Sequence, residues 1–206
     1  MDTSLKKKRI YGPDVHVINR EGRALVEKTY RSRPGPVRMA GKLLVRWETY
    51  IYSKLGGISG IPELVASRDP YTLTTVFMGG HNLKKRLKTP DEGYFEKLEA
   101  LIEAMHNRGV IHLDMRNRRN YGMDDNGMPY LVDFASSVYI PFGGFIKRIL
   151  SSIDWLGYLK VKAILNPGLL SEKENRKTDM GNTLSLLWFF PRLLRFFRHL
   201  FERILR

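Results

Sequence analysis

His112-Leu113-Asp114-Met115-Arg116-Asn117-Arg118-Arg119-Asn120, followed after a short hairpin by Leu131-Val132-Asp133-Phe134, is the stretch on which the reading of this chain turns. Tyr121–Met123 and Tyr130–Val132 read as two strands, and Asp124-Asp125-Asn126-Gly127 between them is a strong hairpin turn. Upstream, Thr89-Pro90-Asp91-Glu92 begins a helix that runs to about Asn107. Phe95, Leu98, Leu101, Ile102 and Met105 recur on one face of it, and Gly109 stops it. Asp114 therefore sits on a loop between a helix and a hairpin, and Asp133 sits where the hairpin ends.

Further outward, Val15, Val17 and Ile18 form a short strand, Asn19-Arg20-Glu21-Gly22 a turn, and Arg23–Thr29 a second strand. Ser32-Arg33-Pro34-Gly35-Pro36 breaks the chain. A helix follows from about Val37 to Leu55, with Leu43, Leu44, Trp47, Ile51 and Leu55 at helical spacing, and Gly56-Gly57 ends it. Short strands are expected near Leu64–Ser67 and Thr72–Phe77, then Gly79-Gly80 and a short basic helix over Asn82–Leu87. After Pro141 the pattern is helical, with a loop near Asn166-Pro167-Gly168. Strands, one helix, more strands and then mostly helices suggest an α+β fold with a strand-rich N-terminal lobe and a helical C-terminal lobe.

The Asp114–Asn120 loop and Leu131-Val132-Asp133-Phe134 resemble the catalytic loop and metal-binding DFG segment of the protein-kinase-like superfamily. Arg108-Gly109-Val110-Ile111-His112 resembles the run that leads into that loop. The resemblance covers residues 10–140 and is nearest to small bacterial kinases related to lipopolysaccharide-core and RIO-type kinases. It implies a two-lobed protein-kinase-like fold and an ATP- and Mg2+-dependent phosphotransferase. The acceptor would be a hydroxyl, on a lipopolysaccharide-core sugar or a protein Ser/Thr. The alternative is a pseudokinase that binds nucleotide or acts as a scaffold.

Phosphoryl transfer needs a carboxylate to orient the attacking hydroxyl, hard oxygen ligands for magnesium, and cations against the phosphates. By resemblance Asp114 is the catalytic carboxylate, with Arg116 beside the transferred phosphate. Asp133 and Asn120 hold the metal. Lys28, ending the Ala24-Leu25-Val26-Glu27-Lys28 strand, binds the α- and β-phosphates and pairs with Glu48 on the next helix. Val76-Phe77-Met78 falls where a hinge would meet adenine.

Departures from the family pattern are specific. Asn120 comes one residue later than the pattern places it, which puts Arg119 at the strict position: either the loop carries one extra residue, the reading preferred because a strand resumes at Tyr121, or the second metal ligand is absent. Ala135 replaces the DFG glycine. A glycine-rich phosphate loop is almost missing, since Gly12 alone precedes the first expected strand. Ser136–Pro141 leaves little room for a long activation loop. Asp154 stays unassigned.

Composition narrows the partners. The 206 residues carry a net charge of +14 and no cysteine. Disulfides, thiolate metal sites and a cysteine nucleophile are excluded, and a polyanionic partner is expected. A hydrophobic fraction of 43% argues against global disorder. Residues 1–9 read as a basic mobile arm with Lys6, Lys7, Lys8 and Arg9; no apolar stretch follows, so it is not a signal peptide. No run of about 20 apolar residues marks a membrane-spanning helix. Residues 10–80 and 81–183 are the two expected lobes.

Residues 184–206 read as a basic amphipathic helix, with Leu193, Leu194, Phe197 and Phe201 among Arg192, Arg195, Arg198 and Arg203. It is suited to an anionic membrane surface or to packing on the domain. The expected partners are thus nucleotide, a hydroxyl acceptor and an anionic membrane surface; nucleic acid is not expected, for lack of a binding motif. The expected location is the cytoplasm, peripheral at the inner membrane face where that helix engages lipid.

Overall fold

The computed structural model describes residues 3–4, 11–85 and 89–183. The basic run Lys6–Arg9, the end of the short helix expected at 82–87, and the amphipathic segment 184–206 lie outside the described residues.

A five-stranded antiparallel sheet forms the first lobe. Its strands are β1 (Thr3–Ser4), β2 (Asp14–Arg20), β3 (Arg23–Thr29), β4 (Leu64–Val65) and β5 (Thr72–Val76), in the order β1-β2-β3-β5-β4. Arg20 pairs with Arg23, so Glu21 and Gly22, both at positive φ (54° and 78°), form a two-residue hairpin turn. Such a turn matches the right-handed strand twist. Thr3 and Ser4, expected in a mobile arm, pair with Val17 and His16 and so supply partners for the outer edge of β2.

Helix α1 (Gly35–Leu55) packs across this sheet, with Pro in its first turn where a missing N–H costs nothing. Its buried side is Val37, Gly41, Val45, Glu48, Ile51, Tyr52 and Leu55. Leu43, Leu44 and Trp47, read from spacing as sharing a stripe with Ile51 and Leu55, are exposed instead. The helix is apolar on two sides, and the side carrying Glu48 is the one turned inward, toward Lys28 on β3.

In the second lobe α2 (Glu92–Asn107) begins at Asp91, whose carboxylate accepts the Tyr94 N–H at 2.8 Å. Phe95, Leu98, Leu101, Ile102 and Met105 are all buried, as their spacing requires. β7 (Val110–Ile111) pairs with β10 (Val138–Tyr139). A three-stranded sheet runs in the order β6 (His81–Asn82), β8 (Tyr121–Met123), β9 (Pro129–Leu131). The expected helix at Asn82 is thus replaced by pairing of His81 and Asn82 with Met123 and Gly122. Leu83 goes into the core. A long-range strand partner overrides the local helical pattern there.

Helices α3 (Phe145–Leu165) and α4 (Glu172–Thr183) complete the described residues. None of the helices among them is long and apolar enough to cross a membrane. One hydrophobic cluster runs from Ile51, Tyr52 and Leu55 through Leu98, Ile102 and Met105 to Phe134, Tyr158 and Val161. The two lobes therefore share a packed core, which fixes the loops between them.

Candidate functional site

Antiparallel pairing of β8 with β9 sets Tyr121 opposite Leu131, and the Val132 N–H donates to the Asn120 carbonyl at 2.9 Å. Asn120 and Asp133 are thereby brought to one end of the same hairpin. Asp133 then takes a left-handed backbone (φ 69°, ψ 65°) before the turn Phe134–Ser136. On the other side, β3 and β5 hold Lys28 opposite Leu73, and α1 carries Glu48.

The side chains meet. Lys28 Nζ donates to Glu48 Oε1 at 3.0 Å and Oε2 at 2.8 Å, and to Asp133 Oδ1 at 2.7 Å. Glu48 is 3% exposed and Asp133 35%, so the pair is anchored inside and opens outward through Asp133. Burial alone would lower the Lys28 pKa, but the charges of Asp133 and Glu48 outweigh it and hold the ammonium well above its ordinary value. This lysine is a fixed cation at any physiological pH.

Asp114 is held separately. Its Oδ2 accepts the Asn120 amide at 3.0 Å and the Asn117 amide at 3.3 Å, and Asn120 Nδ2 also donates to the Asp114 carbonyl at 3.1 Å. That network commits Nδ2 to Asp114 and leaves the oxygen end of the Asn120 amide as the end able to take a cation. Asn117 caps the turn Arg118–Asn120 by accepting the Arg119 N–H. This turn takes up the additional residue, so Asn120 is buried against Asp114 and Arg119 is exposed. Arg116 is half-buried, and Nη1 of Arg118 is buried without a hydrogen-bond partner among the described residues. Phe77 continues the sheet ladder by donating its N–H to the Ala24 carbonyl and is partly exposed just before Gly79-Gly80.

Asp154 does what the sequence left unassigned. From α3, with no exposed surface, it accepts the His112 N–H at Oδ2 and the Leu113 N–H at Oδ1, each at 2.7 Å. His106 donates to the same Oδ2 at 2.9 Å. His112, also fully buried, accepts the Asp114 N–H at Nδ1 (3.3 Å), so its other nitrogen is the donor, toward the Val132 carbonyl at 3.2 Å. It thus braces Asp114 against the strand that delivers Asp133. Gly157 lets α3 approach: a Cβ there would stand 2.9 Å from the Met115 carbonyl carbon. The signal in the sequence was a lone aspartate within the apolar run Ile153-Asp154-Trp155-Leu156-Gly157, whose meaning depends on contacts some forty residues away.

Among the described residues no three His, Cys, Asp or Glu side chains form a metal cluster. The candidate donors are the Asp133 carboxylate and the Asn120 amide oxygen, carried at one end of the same hairpin. That suits magnesium, which keeps waters and substrate phosphates as its other ligands, and does not suit a metal needing an all-protein cage. A groove of about 590 Å3 lined by Ile58, Leu101, Ala104 and Met128 shares no residue with this constellation and is not part of it.

No family model and no curated protein matches the chain. Solved structures do. The Rio2 kinase ADP/Mg2+-phosphoaspartate complex from Chaetomium thermophilum matches with a TM-score of 0.62 at 18% identity over 78% of this chain. A second structure of Rio2 kinase from the same organism matches with a TM-score of 0.56 at 15% identity over 84%. The matches span 55% and 69% of those chains, so this chain covers about half the length of the first. At such identity the likeness speaks to architecture, and with the sheet order and helical lobe above it establishes a two-lobed protein-kinase-like α+β fold for this chain.

Proposed function

We propose that the chain is an ATP- and Mg2+-dependent phosphotransferase acting on a hydroxyl acceptor, a lipopolysaccharide-core sugar or a protein Ser/Thr. The observation that carries this reading is Lys28 Nζ within hydrogen-bond distance of both Glu48 and Asp133. Glu48 orients the ammonium, and Lys28 receives the α- and β-phosphates. Asp133 and the oxygen of Asn120 hold the cation, which when bound neutralises charge building on the phosphate oxygens. Asp114, fixed by Asn120 and Asn117, orients the acceptor hydroxyl and takes its proton as the oxygen–phosphorus bond forms and the bond to ADP breaks. Arg116 serves as a cation against the phosphoryl group in transit. The complex of Rio2 kinase with ADP and Mg2+ supports the same pair of ligands for this fold. The proposed setting is the cytoplasm, peripheral at the inner membrane face where segment 184–206 engages lipid.

The test is an isotope-labelled ATP assay on the full chain, with and without cell-envelope glycolipid. Asp114→Ala and Asp133→Ala should each abolish transfer while circular dichroism shows both variants still folded. Parental turnover in both variants refutes the assignment. A second reading, a pseudokinase, is favoured by Ala135 in place of the usual glycine. It would bind ATP with magnesium and transfer phosphate to no acceptor.

A further inference from the structure

The exposed side of α1 is apolar, although the helix already buries its opposite side in the core. Met39, Leu43, Trp47 and Tyr50 follow one another at helical spacing and are 57%, 68%, 39% and 40% exposed. Ordinary surface helices are polar on the side away from the core. This face continues onto the segment after Asp133: the Tyr50 ring meets the Tyr139 ring edge-on at 5.7 Å, and Lys54 lies over both rings. Three residues beyond Tyr139 the chain exposes Phe142 (81%), Phe145 (75%) and Ile146 (66%). The flanking charges have one sign. Arg38, Lys42 and Arg46 on α1 and Arg148 on α3 are exposed, and the one acidic residue of α1, Glu48, is buried against Lys28.

We infer that the outer face of α1, together with Phe142, Phe145 and Ile146, docks the protein on an anionic lipid bilayer. Interleaved arginine, lysine, tryptophan, tyrosine and phenylalanine suit the headgroup boundary, apolar groups inserted and cations on lipid phosphates. Charge selects this occupant. It favours lipid over a second copy of a chain with net charge +14, and attachment through segment 184–206 instead is an outcome of the test below. An acidic protein partner with an apolar patch is the other outcome that the test separates. The face is tied to the cleft, because Trp47 Nε1 donates to the Ser137 carbonyl at 3.0 Å and the next residue is Glu48. Docking there would hold the cleft at the membrane.

The test is co-sedimentation of the full chain with phosphatidylcholine vesicles and with vesicles containing phosphatidylglycerol. The parent protein should sediment with the anionic vesicles, less so at high salt. Met39→Glu/Leu43→Glu and, separately, Phe142→Ser/Phe145→Ser should each weaken binding by about tenfold or more. All four positions are exposed, so circular dichroism and melting should match the parent. Undiminished binding by both variants would assign attachment to another segment, such as 184–206, and overturn the proposal. Failure of the parent to sediment, or sedimentation abolished only by an added acidic protein competitor, would overturn it too. The experiment reads no phosphate transfer, so its outcome is independent of the function proposed for the cleft.

Discussion

Leu113 and Asp133, on the two loops that form the site, both hold left-handed backbone, at φ 61° and 69°. Outside glycine such a conformation costs on the order of 1–3 kcal/mol and persists only where surrounding contacts over-determine it. For Leu113 the compensation is visible: its N–H and that of His112 end on the buried Asp154 carboxylate. Asp154→Ala removes both acceptor oxygens and leaves three donors without them, the His112 and Leu113 N–H groups and the His106 ring, each worth about 1–3 kcal/mol when orphaned. Urea denaturation should show a loss on the order of 3 kcal/mol, with Asp154→Asn intermediate because one acceptor survives. For Asp133 the compensation is Lys28. Lys28→Met removes the cation that both Glu48 oxygens accept from inside the core, and should cost about 3 kcal/mol. Adding Glu48→Leu should restore much of that stability without restoring nucleotide binding. Full additivity of the two losses would mean that the pair does not couple.

At the scale of elements, the corner leading into α1 is pinned by Asp14 at the start of β2. Its carboxylate accepts from Ser32 Oγ at 2.7 Å and from Arg33, whose Nε also donates to the Gly12 carbonyl at 2.6 Å. Burial would raise the Asp14 pKa, but the bonds from Ser32 and Arg33 and the arginine charge lower it below its ordinary value. A depressed carboxylate contributes stability that is present above the unfolded pKa of about 3.9 and is lost as pH falls through the lower native value. The stability gap between the parent and Asp14→Asn should therefore narrow as pH drops below about 4. A gap that persists to pH 2 would show that the contact does not act through charge.

Elements also differ in how openly the sequence announces them. The helix over Glu92–Asn107 and the Asp124–Gly127 hairpin carry their own period and turn residues, and Asp114, Asn120 and Asp133, singled out by resemblance, lie on the loops around that hairpin. β6 is not legible, because what makes it a strand is β8, some forty residues downstream. The orientation of α1 is not either, since Leu43 and Trp47 satisfy the same spacing rule as Ile51 and Leu55, and only the Lys28–Glu48 contact decides which side turns inward.

In the whole molecule, the Lys28–Asp133 pair and the Trp47–Ser137 hydrogen bond both join the N-terminal sheet and its helix to the loop that follows β9. A ligand that bridges Lys28 and Asp133 should therefore stabilise both lobes at once, because they unfold around one shared core. A ligand at about one hundred times its dissociation constant adds roughly 2.7 kcal/mol to the native state. For a chain of this length that is a rise in melting temperature of about 5–10 °C. ATP with magnesium should produce it in a single transition, and chelating the magnesium should remove most of it. Asp133→Asn should melt identically with and without magnesium, since Asn120 alone is a poor ligand for a hard cation. Two separate melting steps, only one of them moved by ATP, would mean that the lobes are not coupled through this pair. A shift of equal size in the chelated sample would remove Asp133 and Asn120 from any part in holding metal.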